Sequence, residues 1–240
     1  HLSIRRQRQM CIRDSKYTND PIRTQEYHQI YERQHLQDIQ LLLEKGADVN
    51  YTYTCNNNSE YKYEPTIQSG QYEGEGRTPL YVACKIGHVN VVRLLLENGA
   101  NVNQADIKDK TPLYTACKNC HYHVAQLLLE NGADVDKARD NGQTPLSRVC
   151  EEGSIMWLYI VRLLLDKGAE IDLADKHGWT PLIIACLHGH VDVTRLLLEN
   201  GANVNPVDIV ADTPLHVACL KGHVEVTKLL LENGASIDKS

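Results

Sequence analysis

The sequence predicts an all-α solenoid of stacked helix-turn-helix units with extended turns projecting sideways, and three observations predict it. The first is a repeated pattern, TPLIIACLHGHVDVTRLLLENG at Thr180–Gly201, whose copies open at Thr78, Thr111, Thr144, Thr180 and Thr213. The period is 33 residues with one step of 36. Self-similarity on this scale marks an array in which no unit can bury its apolar face alone. The second is that each copy holds two short apolar patterns of helical spacing, closed by glycine in all but one case. The third is the polar run after each pair, which lacks helical periodicity and reads as an extended turn projecting sideways. Function is therefore expected on a surface and not in a pocket.

In Thr180-Pro181-Leu182 the threonine hydroxyl can accept a hydrogen bond from a free N–H two or three residues on. Proline fixes φ at the first helical position, where its missing N–H costs nothing. The helix then runs through Ile183, Ala185 and Cys186 to Gly189, a residue suited to a left-handed helix end. A second helix carries Val191, Val193, Leu196, Leu197 and Leu198 and ends at Gly201. Helices this short hardly form alone in water, so stacking must hold them. Each fully buried Leu or Val contributes about 1.5–3 kcal/mol, which explains why Leu163, Leu196 and Leu229 recur.

The pattern TPLxxACxxGHxxVxxLLLExGAxVN resembles the ankyrin repeat over residues 78–240, with a degraded copy upstream ending in LLLEKGADVN at 41–50. Five copies in register make the resemblance specific. It implies helix-turn-helix units with β-hairpin-like fingers, an elongated curved solenoid, and binding of other proteins along the concave face and finger tips. The repeats are placed near 25–50, 78–110, 111–143, 144–179, 180–212 and 213–240.

Composition agrees. The 240 residues are 42% hydrophobic but contain no Phe and only two Trp, which suits uniform layers of Leu, Val and Ala. No run approaches the roughly 20 apolar residues of a membrane span, so no membrane insertion is expected. A net charge of −6 disfavours a general nucleic-acid binder. Of eight cysteines, Cys84, Cys117, Cys150, Cys186 and Cys219 share one repeat position. Neighbouring inner helices lie about 8–10 Å apart while a disulfide needs Cα atoms within about 7 Å, so the ladder is expected as buried, reduced thiols. That favours a cytoplasmic location, with a nuclear one as the alternative. Cys11, Cys55 and Cys120 follow no spacing rule.

In chain order, residues 1–24 form a basic tail expected to be disordered, with Arg5, Arg6, Arg8, Arg13 and Lys16 against Asp14. A nuclear-import reading rests on too short a basic run. Residues 25–50 lay Leu36, Ile39, Leu41, Leu42 and Leu43 on the second helix of a repeat, but Gln25-Glu26-Tyr27 replaces Thr-Pro-Leu, as befits a terminal cap. Residues 51–77 insert about 20 residues into a finger and include Tyr51, Tyr53, Tyr61, Tyr63 and Tyr72. They read as a tolerated loop, with a tyrosine-rich contact arm as the alternative. The acceptor pattern Asn57-Asn58-Ser59 is discounted on the cysteine argument. In the copy at 111, Cys120 replaces the helix-ending glycine. His121 shares register with His88, His190 and His223, so it reads as structural and no metal site is expected. In the copy at 144 three extra residues fall between Gly153 and Val161, lengthening the second helix and keeping Trp157 on its buried side. The alternative is a sticky edge at Met156 and Trp157.

Framework positions fix the shape, so recognition is expected where copies disagree. These are the finger tips at 105–110, 138–143, 174–179 and 207–212, and the pairs ending the inner helices, Lys85-Ile86, Lys118-Asn119, Glu151-Glu152, Leu187-His188 and Leu220-Lys221. The resemblance implies that such positions touch partners. The candidate protein-binding residues are Lys108, Lys110, Lys118, Glu151, Glu152, His177, Trp179, Leu187, His188, Ile209, Val210, Asp212, Leu220 and Lys221, with Trp179 as anchor. No GxxxxGK[ST], GxSxG or HExxH occurs, so no enzyme, catalytic residue, cofactor or metal is expected. The expected function is a non-catalytic protein-interaction module or scaffold whose partner is another protein. The alternatives are the repeat part of a larger protein with an enzymatic, channel or degradation-adaptor domain, and a small-ligand or oligonucleotide-binding repeat domain using Lys108, Lys110 and Lys118. The unmodified leucine pattern at Leu229, Leu230 and Leu231 adds the expectation of a piece of a longer protein.

Overall fold

A computed structural model describes residues 36–52 and 76–237. The chain divides into two compact units between Asp48 and Val49. In the first unit a helix, α1, spans 36–44. It closes on Gly46, whose φ is +83°, with the N–H groups of Lys45, Gly46 and Ala47 donating to the carbonyls of Leu41, Leu43 and Leu42. This is the second helix expected of the upstream repeat, with Leu41 and Leu42 exposed. Its first helix, the basic tail, Cys11, Cys55 and residues 53–75 of the inserted loop lie outside the described residues.

The second unit is a series of helix pairs: α2 (Pro79–Ile86) with α3 (Val89–Glu97), α4 (Pro112–Lys118) with α5 (Tyr122–Glu130), α6 (Pro145–Cys150) with α7 (Ile155–Asp166), α8 (Pro181–His188) with α9 (Val191–Glu199), and α10 (Pro214–Lys221) with α11 (Val224–Glu232). No β-strand occurs among the described residues. The first members form one row, α2 to α4 to α6 to α8 to α10, and the second members a parallel row from α3 to α11, each helix packed on its neighbours in the row and on its own partner.

Each inner helix begins alike. Thr78, Thr111, Thr144, Thr180 and Thr213 accept from the backbone N–H three residues on, at 3.0 to 3.3 Å, and a proline follows each of them. Because the threonines are buried, these bonds satisfy donors that water cannot reach. Four of the five outer helices end instead on an asparagine: Asn98, Asn131, Asn200 and Asn233 return a side-chain N–H to the carbonyl four residues back, each at 2.8 Å, while α7 ends on Lys167.

The core lies between the two rows. Leu80, Leu113, Leu146 and Leu182 on the inner helices and Val92, Leu128, Leu164, Leu197 and Leu230 on the outer ones are fully buried. The expected extra turn in the copy at 144 is present, since α7 has 12 residues where the other outer helices have nine. Trp157 on that turn is half-buried with its indole N–H enclosed and unpartnered, while Ile155, Met156 and Tyr159 are exposed. The cysteine ladder holds at Cys84, Cys117, Cys150 and Cys186, all buried and free. It fails at Cys219, which is exposed because among the described residues no inner helix packs on the far side of α10.

Candidate functional site

The finger tips are tight turns, three of them built by one carboxylate each and the fourth by a carboxamide. In the finger at 105–110, Asp106 N–H donates to the Lys110 carbonyl, and its Oδ1 accepts from the N–H groups of Lys108 and Lys110 at 2.9 and 3.0 Å. Asp175 closes the turn to Trp179 and Asp208 the turn to Asp212 in the same way. The finger at 138–143 has Arg139 at this place, and the carboxamide oxygen of Asn141 takes over, accepting from Gln143 N–H and Arg139 Nε. The fifth residue of each turn has positive φ: Asp109, Gly142, Gly178 and Ala211.

Successive fingers are joined by single backbone bonds. Asp140 N–H donates to the Lys108 carbonyl, Lys176 to Asn141 and Ile209 to His177, at 3.1 to 3.2 Å. The side chains of the third and fourth finger residues therefore ride on a continuous backbone seam. Ile209 and Val210 are 71% and 70% exposed, and His177 is also exposed while Lys108 is half-buried.

The sixth finger residue and the end of the inner helix meet in one place, as Gln143 shows. This buried carboxamide accepts from the Tyr114 hydroxyl at 2.7 Å and donates from Nε2 to Glu151 Oε1. Arg148 then bridges Glu151 at 2.6 Å and Glu152 at 2.5 Å, and the Arg139 guanidinium lies over the Tyr114 ring. Burial pushes the Tyr114 phenol up to about 12. Glu151 and Glu152 are thus largely engaged by Arg148 and Gln143.

In the other repeats the same positions hold Lys110 with Lys118, Trp179 with Leu187, and Asp212 with Leu220. Lys118, His188, Leu220 and Lys221 are exposed, and Lys110, Trp179, Leu187 and Asp212 half-buried. Leu220 is 78% exposed. Trp179 donates its indole N–H to Asp208 Oδ2 of the next finger at 3.1 Å, so its polar edge serves the stack while the residue stays half-buried. The His188 ring stacks on that of His190 at 5.7 Å, and partial burial together with the His190 charge lowers its pKa.

The repeated histidines bind backbone. Nε2 of His121, His190 and His223 lies 3.1, 2.9 and 3.1 Å from the carbonyl oxygens of Lys85, Glu151 and Leu187 in the preceding repeat. Cys120 does occupy the left-handed position of the glycine it replaces, with φ +58°. Among the described residues no group of three or more His, Cys, Asp or Glu is placed to hold a metal ion, and no helix is long and apolar enough to cross a membrane.

Several features escape the sequence reading. Arg148 lies three and four residues before Glu151 and Glu152, a spacing that signals the ion pairs in plain view. The Trp179–Asp208 bond joins positions 29 apart and shows only once the repeats are overlaid. Val82 is exposed on α2 although the residues at its position in α4, α8 and α10 are buried.

A family model described as ankyrin repeats matches this chain in three copies, at residues 54–139, 134–208 and 158–240. Each matched segment is longer than one 33-residue period, so the number of matches differs from the repeat count read from the sequence. No curated protein matches the chain.

Proposed function

The chain belongs to the ankyrin-repeat family, whose repeats are generally protein-interaction modules and generally non-catalytic, and from that membership we propose that it is a binding module or scaffold with no catalytic role. The partner is another protein, held along the finger bases and inner-helix ends by Lys118, Trp179, Leu187, His188, Ile209, Val210, Leu220 and Lys221, with Lys108, Lys110, Glu151, Glu152, His177 and Asp212 at the margins. One observation carries the reading: Ile209, Val210 and Leu220 leave 70% or more of their surface in water at positions where the framework asks nothing apolar. Exposed apolar groups clustered on a rigid support are a usual mark of an interface. The thiols buried at Cys84, Cys117, Cys150 and Cys186 support a reducing compartment, the cytoplasm or the nucleus.

The test is affinity capture with an Ile209→Lys, Leu220→Lys chain, beside a control in which the exposed outer-helix residues Arg162 and Arg195 become Glu. Loss of the captured protein from the first variant and its retention by the second, with equal helicity, is the expected result. Equal capture by both removes this face from the account.

A further inference from the structure

Resting on the reading above, we infer that the face selects an extended polypeptide segment of two parts, an acidic stretch and an apolar stretch, held at opposite ends of the array. The charge at the first end has no ion-pair partner among the described residues. Lys85 and Lys118 occupy the same position on α2 and α4, and both are exposed. Of the two carboxylates flanking Lys108, Asp106 is buried and engaged by the N–H groups of its own turn, and Asp109 is exposed beside it, so the cationic end rests on Lys85 and Lys118. In the middle, Arg148 ties up Glu151 and Glu152. The same helix-end position then becomes the half-buried Leu187 and the exposed Leu220, and Ile209 on the finger that precedes α10 is exposed as well. The change from cation through closed ion pair to bare leucine follows one position along successive repeats, so a single strand laid across them meets the three zones in order.

The spacing sets the length. Lys118 and Leu187 are two repeats apart, about 16–20 Å at the usual separation of packed helices, which five or six residues of extended chain can span. An acidic segment alone would leave the leucines wet, and an apolar segment alone would leave two lysines without counter-charge. Complementary charge at one end also fixes the direction of docking and weakens as salt rises.

The probes are synthetic peptides followed by fluorescence anisotropy: four Glu, a five-residue Gly-Ser spacer and a Leu-Trp-Leu-Ile block, made in both chain directions. The controls are a peptide of the same composition with Glu and apolar residues interleaved, and tetraglutamate with the spacer alone. One direction of the two-block peptide should bind at least ten times tighter than either control. Lys85→Glu with Lys118→Glu should abolish that margin and its salt dependence, and Leu220→Asp should weaken binding without altering the salt dependence. Helicity by circular dichroism checks that each variant is folded. Interleaved and two-block peptides binding within twofold of each other, tetraglutamate binding as tightly, no binding of any probe, or indifference to the lysine reversal would each overturn the inference. Protein capture that survives any of these outcomes leaves the interaction role standing and this segment chemistry refuted; capture lost as well refutes both.

Discussion

The imidazole of His190 occupies the space that a side chain at Gly153 would need, while its Nε2 lies 2.9 Å from the Glu151 carbonyl oxygen. His121 and His223 sit over Gly87 and Gly189 in the same manner, within 2.7 and 2.6 Å of where a Cβ would be. The exception explains the rule. Position 120 is cysteine, and the following repeat carries Ser154 where the others have histidine. The glycine is thus demanded by the next repeat as well as by its own φ. Gly153→Ala meets both penalties, left-handed strain of about 1–2 kcal/mol and overpacking of about 1–3 kcal/mol. Gly222→Ala, with φ +73° and nothing within 4 Å of the added carbon, meets only the first. Urea unfolding should show the Gly153 variant to be the less stable of the two; equal midpoints would contradict the stacking account.

The buried threonine caps should each matter. Thr111 accepts from Tyr114 N–H at 3.0 Å at the start of a seven-residue helix, too short to hold itself. Thr111→Ala is expected to cost about 1 kcal/mol, up to about 2, read from the thermal or urea transition.

A second ladder joins the turns after the outer helices. Asn103 accepts from Asp134 N–H and donates to the Gly132 carbonyl, whereas Asp136 and Asp172 at the same position only accept, from Glu170 and Asn203. Burial raises the Asp136 carboxyl above its ordinary value, opposed by the Glu170 N–H and reinforced by the Glu170 and Asp134 charges. The folded state therefore holds this proton more tightly than the unfolded one, and stability falls as pH rises from the ordinary carboxylate value through the raised one. Asp136→Asn should be slightly the more stable at pH 7, since solvent screens much of the effect at this partly exposed site. The gain should narrow toward pH 3, where the carboxyl carries no charge to desolvate. Denaturation at both pH values checks the sign.

The ladder thiols should be inert. Burial pushes Cys186 up to about 12 and raises Cys84, Cys117 and Cys150 as well. In a chain with Cys11 and Cys55 replaced by serine, a disulfide reagent at pH 8 should label exposed Cys219 quickly and half-buried Cys120 slowly, leaving four thiols until denaturant is added. Peptide mass spectrometry assigns the sites, and fast labelling of Cys150 would contradict the packing.

Much of the framework is legible in the sequence because it is written five times. Thr-Pro at each helix start, Gly189 at a helix end and the register of His121 all follow from local chemistry that a repeat cannot vary without losing its neighbours. What resists reading is pairing between repeats. The Asp208 carboxylate that takes the Trp179 indole and the Gln143 amide that links Tyr114 to Glu151 are ordinary polar residues until the stack brings them together. The exposure of Cys219 is of the same kind, since burial at that position belongs to the adjacent repeat and not to the residue.

The most direct measurement is site-resolved photo-crosslinking, with a benzophenone side chain placed in turn at positions 118, 187 and 220 on the inner-helix ends and at 162 and 195 on the outer helices. The account predicts that one partner protein crosslinks from the first three positions and from neither of the last two. Crosslinking confined to 162 and 195 would contradict it.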